Sequence, residues 1–259
     1  MQLKDAVCIV TGSASGIGAA TAVLLARKGA RVVVNYSKSE DSARATLDAC
    51  LAAGGDALLI KGDVAQDDDC RRLAKAALDK WGRLDALANN AGTTKFVDHA
   101  DLEGLSAEDF LRIYSVNVVG AFQMARACAP ALKQSGHGAI VNTSSIAGTR
   151  GVGSSIAYAA SKGALNTLTL SLARVLGPEI RVNAVCPGFV DTEWMHQGYG
   201  ERFGAVEDRY RQSTPLARVG KPEEVADAIV WLIEGAAITT GETILLDSGM
   251  HLGMSPRKL

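Results

Sequence analysis

The chain lacks an excess of charge of either sign: 27 Lys and Arg stand against 28 Asp and Glu over 259 residues, a formal net charge of −1. The basic residues are scattered, so there is no electrostatic footprint for nucleic acid or for an anionic membrane. No apolar run approaches the roughly 20 residues needed to span a bilayer. The cysteines are Cys8, Cys50, Cys70, Cys128 and Cys186, an odd set without a Cys-x-x-Cys pair. A disulfide framework and a zinc site are therefore not expected, and most of the five read as small core residues in a reducing compartment. His99, His137, His196 and His251 show no ligand spacing, and no metal is expected. Met1-Gln2-Leu3-Lys4-Asp5 runs into a strand-like segment without the basic and long apolar regions of a secretory signal. A cytoplasmic location is the expectation.

What the chain does have is alternation. Short β-branched runs at Val7–Thr11, Arg31–Tyr36, Ala57–Asp63, Leu84–Asn89, Ala139–Thr143, Arg181–Cys186 and Thr243–Asp247 read as strands. Several are apolar without a polar alternate, as in strands covered on both faces. Helical patterns lie between them at Ile17–Lys28, Ser39–Ala53, Asp67–Trp81, Ala107–Gln134 (with a break near its middle), Ile156–Leu176 and Pro222–Ile233. Gly29, Gly54, Gly82 and Gly177-Pro178 punctuate helix ends. The pattern predicts an α/β fold: a doubly wound, Rossmann-type parallel sheet of about seven strands with helices on both faces. No linker or repeat divides the chain, so residues 1–259 are expected to form one domain. The irregular stretch at about 193–218 is expected to be a capping loop.

The first strand runs into Thr11-Gly12-Ser13-Ala14-Ser15-Gly16-Ile17-Gly18, with a helix following at once. Glycines there let the backbone turn and approach a pyrophosphate, and the helix offers free N–H groups at the positive end of its dipole. The spacing Gly-x-x-x-Gly-x-Gly is one residue longer than GxGxxG. The second strand ends Val34-Asn35-Tyr36-Ser37-Lys38. It has no acid at its end to bond a ribose 2′-hydroxyl, and Ser37 and Lys38 are suited to a 2′-phosphate. NADP is therefore the expected cofactor, with NAD as the second option. Asp63 suits either an adenine-amino contact or the N-cap of the next helix.

Tyr158 and Lys162 stand four apart in a helix, on one face. A phenol with a reference pKa of about 10 is a poor acid/base near neutrality, and a neighbouring ammonium lowers it. Ser145 ends a strand at the edge where ligands sit in open α/β sheets, placed to bond a substrate oxygen. Asn89-Asn90-Ala91-Gly92 ends another strand in the same way. Asn117 lies among Val116, Val118 and Val119, where a polar amide must find a partner or a water.

In that order, these motifs closely resemble the short-chain dehydrogenase/reductase family. The likeness runs from Val7 to about Gly249 and includes Asp63-Val64 and Pro187-Gly188-x-x-x-Thr192. The resemblance implies that Tyr158 is the acid/base and that Lys162 lowers its pKa and bonds the nicotinamide ribose. It also implies that Ser145 polarises the substrate oxygen and that Asn117 holds a water linking Lys162 to solvent. Gly12, Ser15, Gly16, Ile17 and Gly18 would line the pyrophosphate. Asn35, Tyr36, Ser37, Lys38, Asp63, Val64, Asn89, Ala91 and Gly92 would line the rest of the adenosine half. Pro187, Gly188, Val190 and Thr192 would hold the nicotinamide end. Ser15 stands where many NADP-using members carry Arg or Lys, which counts against NADP without outweighing the missing acid.

Substrate contacts are expected from Thr94, Ser145, Val152, Tyr158, Trp194 and Met195, with Tyr199 and Phe203 adding to an apolar wall. Arg150 is a further pocket candidate, and His196 is the one histidine placed to touch substrate. The expected activity is hydride transfer between a nicotinamide and a small-molecule ketone or secondary alcohol. A 3-oxoacyl-carrier-protein reductase or a sugar dehydrogenase is the alternative within the family, since Val34-Asn35-Tyr36 looks like both. A non-catalytic dinucleotide-binding regulator would have no need of Asn117, Ser145, Tyr158 and Lys162 together. The resemblance also implies a homotetramer, with contacts through the helices around Asn117 and Tyr158 and through Thr243–Leu259.

Overall fold

The computed structural model describes residues 1–253. The part of the expected C-terminal subunit contact at 254–259 lies outside them. The strands are β1 (Val7–Val10), β2 (Arg31–Tyr36), β3 (Asp56–Lys61), β4 (Ala86–Asn89), β5 (Gly138–Thr143), β6 (Ile180–Pro187) and β7 (Thr243–Leu246). They form one parallel sheet in the order β3-β2-β1-β4-β5-β6-β7. The helices are α1 (Gly16–Arg27), α2 (Glu40–Ala52), α3 (Asp67–Trp81), α4 (Ala107–Tyr114), α5 (Ala121–Gln134), α6 (Ala147–Arg150), α7 (Ile156–Leu176), α8 (Glu193–Tyr199), α9 (Phe203–Ser213) and α10 (Pro222–Glu234).

The non-alternating strands have the predicted cause. In β1, Cys8 and Val10 point into a core shared with α1, α2 and α10, while Val7 and Ile9 point into a second core shared with α3, α5 and α7. Each face removes its side chains from water, at about 1.5–3 kcal/mol for a large aliphatic residue. The five cysteines are free and buried, as their reading as core residues requires.

Two segments differ in detail from expectation. The break in the Ala107–Gln134 pattern is a π-helical stretch, Ser115–Gly120, joining α4 to α5 without a turn. Gly120 lies in it because a Cβ there would stand 2.7 Å from Val64 Cγ2. The stretch at 193–218 is largely helical, forming α8 and α9 around a short 3-10 turn at Gly200–Arg202. Its aromatic residues organise it: Phe189, Phe203 and Val219 form a small core that Met195, Tyr199, Val206 and Tyr210 cover.

Candidate active site

Strand order reverses between β1 and β4, with β2 and β3 on one side and β5 to β7 on the other. A crevice opens at the carboxyl ends of the strands at such a point. On one side of it, Gly12 and Gly16 hold positive φ of 60° and 56°. A Cβ on Gly12 would stand 2.7 Å from Ala91 Cα, and one on Gly18 would strike the Gly12 carbonyl oxygen and the Asn90 amide. The start of α1 is left open to an anion: the Ser15 side chain makes no cap hydrogen bond, and the first turn holds no acid. Asn90, which the motif contained but to which no role was assigned, donates from Nδ2 to Gly12 O (3.0 Å) and Thr11 O (3.3 Å). Thr11 Oγ1 accepts from the Asn90 and Ala91 amides. These bonds lock the loop after β1 to the end of β4.

Asn35 has a different place from the one expected of a cofactor contact. It is 2 % exposed. Its Oδ1 accepts from Gly12 N at 3.1 Å, and its Nδ2 donates to Gly62 O at 3.0 Å and Ile60 O at 3.3 Å. Both ends of the amide are engaged within the protein, so Asn35 is a brace between the glycine loop and β3. Val64 is likewise buried, with its carbonyl accepting from Gln123 Nε2 at 2.8 Å. Asp63 is exposed and closes the turn before α3, accepting from Ala65 N at 3.0 Å. The N-cap position itself is Gln66. Ser37 and Lys38 are exposed at the end of β2. Glu40, the nearest following acid, pairs with Arg44 at 2.6 Å and with the Tyr36 phenol, and the Arg44 hydrogen bond lowers its pKa first.

On the other side of the crevice, Lys162 is 3 % exposed and donates to Thr143 O at 2.7 Å. Its Nζ lies 5.5 Å from the centroid of the Tyr158 ring. A Cβ on Gly92 would stand 3.8 Å from Lys162 Nζ and 3.6 Å from Asn117 Oδ1, which places the loop after β4 next to the amine. The Asn117 amide brackets Thr93, accepting from its N–H at 2.8 Å and donating to its carbonyl at 3.0 Å. It also donates to Ser161 Oγ at 2.9 Å, and Ser161 Oγ donates to Tyr158 O. The π stretch is thereby tied to α7 at the level of the tyrosine. Ser145 Oγ accepts from Ala147 N at 3.1 Å, which fixes the hydroxyl at the end of β5.

Desolvation pushes the Tyr158 phenol up to about 12, against a hydrogen bond from Ser145 that pulls it down. Burial pushes the Lys162 ammonium down to about 8. Loss of water sets the direction for the phenol and for the ammonium alike. Burial thus favours the neutral form of each group.

The segment from Pro187 to Gly220 borders this side of the crevice. Thr192 caps α8, its side chain accepting from Met195 N, and its Cγ2 lies 3.4 Å from where a Gly16 Cβ would stand. Val190 is held by a parallel bridge to Gly220. Pro187 O accepts from Ile146 N, and Gly188 N donates to Leu246 O, both at 3.0 Å. Trp194 meets the Tyr158 ring edge-on with centroids 6.0 Å apart. Met195, Tyr199 and Phe203 pack into the lid's own core. His196 pairs with Asp191 at 2.8 Å and stacks on Phe203, so it faces the lid. Thr94 Oγ1 lies 2.7 Å from Ser154 Oγ; Val152 is half-buried and Arg150 exposed. Phe96 carried no sequence signal, yet it meets both Trp194 and Tyr199 edge-on.

A phosphate cradle at one end of a switch-point crevice and a Tyr/Lys pair at the other define a dinucleotide-dependent oxidoreductase of the doubly wound class. The glycine cradle, the open start of α1 and the buried Asn89 Oδ1, which has no partner among the described residues, all fit such a cofactor. Residues 12–251 match the family model described as Enoyl-(Acyl carrier protein) reductase. The chain is 45 % identical over 246 residues to the "Granaticin polyketide synthase putative ketoacyl reductase 2" of Streptomyces violaceoruber, covering 95 % of this chain and 96 % of that one. It is 37 % identical to a 3-oxoacyl-[acyl-carrier-protein] reductase of Synechocystis, covering 96 % and 98 %. A solved structure described as "a putative short-chain dehydrogenase/reductase from Burkholderia xenovorans" superimposes with a TM-score of 0.90 at 44 % identity, over 96 % of this chain and 99 % of that one. The chain belongs to the short-chain dehydrogenase/reductase family. It is an oxidoreductase that transfers a hydride between a nicotinamide and a carbonyl or alcohol carbon. Among the described residues there is no metal-ligating cluster, and no helix is long and apolar enough to cross a membrane.

Proposed function

We propose that the protein is an NADP(H)-preferring reductase of small-molecule ketones in which Tyr158 gives the carbonyl oxygen its proton. The observation that carries this reading is the convergence of Ser145, Tyr158, Lys162 and Asn117 on the carboxyl edge of the sheet, with Lys162 fixed on Thr143 O beside Gly92. When bound, the nicotinamide supplies or accepts the hydride. Ser145 Oγ orients the substrate oxygen toward the phenol. Lys162 Nζ has three donors, of which one is engaged by Thr143 O, leaving the others for the ribose. Both Asn117 Nδ2 donors are engaged by Thr93 and Ser161, and Oδ1, which accepts from Thr93 N, keeps a second acceptor site for a water on the path to Lys162. The Thr192 hydroxyl accepts from Met195 N and keeps its proton to donate to the carboxamide.

Preference for NADP is supported by the exposed Ser37 and Lys38 and by the engagement of Glu40 with Arg44 and Tyr36. Exposed Leu111, Val119 and Phe122 along α4 to α5, and Leu170 and Val175 on α7, support a homotetramer built through those helices. A cytoplasmic location and one domain over residues 1–259, capped at 193–218, complete the reading. The relatives' names make a 3-oxoacyl thioester ketone the alternative substrate.

Tyr158→Phe is the direct test. It should lower kcat by about 10²–10⁴-fold, the usual share of a general acid, while leaving NADPH binding intact; a near-normal kcat refutes the role. Fluorescence titration with NADPH and NADH tests cofactor choice, and tighter NADH binding would overturn the preference.

A further inference from the structure

Two aromatic rings line up beside the phenol, each brought by a different part of the chain. Trp194 comes from the lid, and its centroid lies 6.0 Å from Tyr158 on α7 and 6.1 Å from Phe96 in the loop after β4, at interplanar angles of 61° and 71°. Phe96 in turn lies 5.2 Å from Tyr199 at 74°. These are the edge-to-face arrangements that aromatic pairs favour.

The wall is built rather than incidental. Gly198 faces the Phe96 ring so closely that a Cβ there would collide with it, so a larger residue would have to push the ring or α8 aside. The loop carrying Phe96 is fastened on both sides of the ring. Thr94 Oγ1 bonds Ser154 Oγ, and Val97 N donates to Ser154 O at 2.9 Å. Trp194 nevertheless remains 40 % exposed.

The charged groups next to these rings in the chain are turned to other partners. Lys95 pairs with Asp109, His196 with Asp191, and Glu193 accepts from Gln197. A group bonded to the reacting carbonyl thus meets uncharged ring surface on the lid side.

We propose that the preferred substrate is a ketone joined to a planar aromatic or conjugated ring system, and that Trp194 is the residue that selects it, with Phe96 holding Trp194 in place. The proposal rests on the placement of the reacting carbonyl at Tyr158. A flat ring lies against the free indole surface while its carbonyl reaches the phenol. A short, flexible 3-oxoacyl chain covers less of that surface and gains less from it.

The test compares 2-tetralone, a ketone on a fused bicycle, with the N-acetylcysteamine thioester of acetoacetate, a short 3-oxoacyl ketone. In the wild type, kcat/KM for 2-tetralone should be higher. In Trp194→Leu, the ratio of the two kcat/KM values should fall by about tenfold or more, the scale of one aromatic pair together with its buried area. Trp194→Phe should restore most of it, and Phe96→Leu should give an intermediate loss. A higher wild-type kcat/KM for the thioester, or an equal loss on both substrates in Trp194→Leu, overturns the proposal. Equilibrium binding of 2-tetralone to the NADP-loaded enzyme, followed by calorimetry, is read separately from turnover. Saturable binding that weakens about tenfold in Trp194→Leu, with no reduction of either ketone, would refute the assignment of chemistry to Tyr158 and leave the wall intact. Absence of saturable binding in the wild type refutes the wall.

Discussion

Replacing Asn35 by Asp separates two roles that look alike in one dimension. At the end of a strand after the glycine loop, a new carboxylate would, on sequence position alone, favour NADH by repelling a 2′-phosphate. The three-dimensional placement of Asn35 gives another result. Its Oδ1 accepts from Gly12 N, which an aspartate retains, but its Nδ2 donates to Gly62 O and Ile60 O, which an aspartate cannot do while ionised. Two buried carbonyls would then face a carboxylate. Two lost hydrogen bonds at about 1 kcal/mol each, with the desolvation of the unpaired acceptors and charge, give a loss on the order of 2–4 kcal/mol. For a domain of this size that is a fall in Tm of about 5–15 °C. Circular dichroism melts of the two apoproteins measure it, and fluorescence titrations with NADPH and NADH follow cofactor choice. Asn35→Asp should melt lower and bind both cofactors more weakly, because the Gly12 loop loses its tie to β3. An unchanged Tm with a switch to NADH would show that Asn35 faces the ribose and that the brace is wrong.

Two other outcomes follow from geometry already described. Gly12→Ala sets a Cβ 2.7 Å from Ala91 Cα at a φ of 60°, and its neighbour is backbone rather than a pliable side chain. It should cost about 1–2 kcal/mol in conformation alone and weaken cofactor binding more than substrate binding, as titration against steady-state KM would show. Lys162 carries its proton below about 8 and loses it as pH rises through that value, while the Tyr158 phenol, pushed up to about 12, stays loaded. Ketone reduction should therefore hold level below pH 8 and decline above it, and Lys162→Met should remove that inflection from the kcat/KM profile; an unaltered profile would remove Lys162 as its source.

The sheet was legible because several strands are apolar on both faces, and Val7 to Val10 feed two cores in alternation. The gathering of Ser145, Tyr158 and Lys162 at one end of the sheet was legible through motif order, since it depends on residue types at the ends of elements. The role of Asn35 was not, because its partners Gly12, Ile60 and Gly62 belong to other segments of the chain. Phe96 was silent for the same reason: its ring is met by Trp194 and Tyr199, about a hundred positions away. The helices of the lid were hidden by Gly198, Gly200 and Gly204, although the Glu193–Gln197 and Glu207–Arg211 contacts carry the four-residue period of a helix.

The π stretch at Ser115–Gly120 has a consequence for how this helix can change over time. One residue inserted into an α-helix turns everything beyond it by about 100°, so a single α-helix would have to suit the sheet and the site in one phase. Here α4 buries only Ile113 and α5 buries Met124, Cys128 and Leu132, with Asn117 between them. The wide turn acts as a clutch between the two halves. Substitutions in α5 can follow the demands of the sheet, and substitutions in α4 those of the outer surface, without rotating Asn117 away from Thr93.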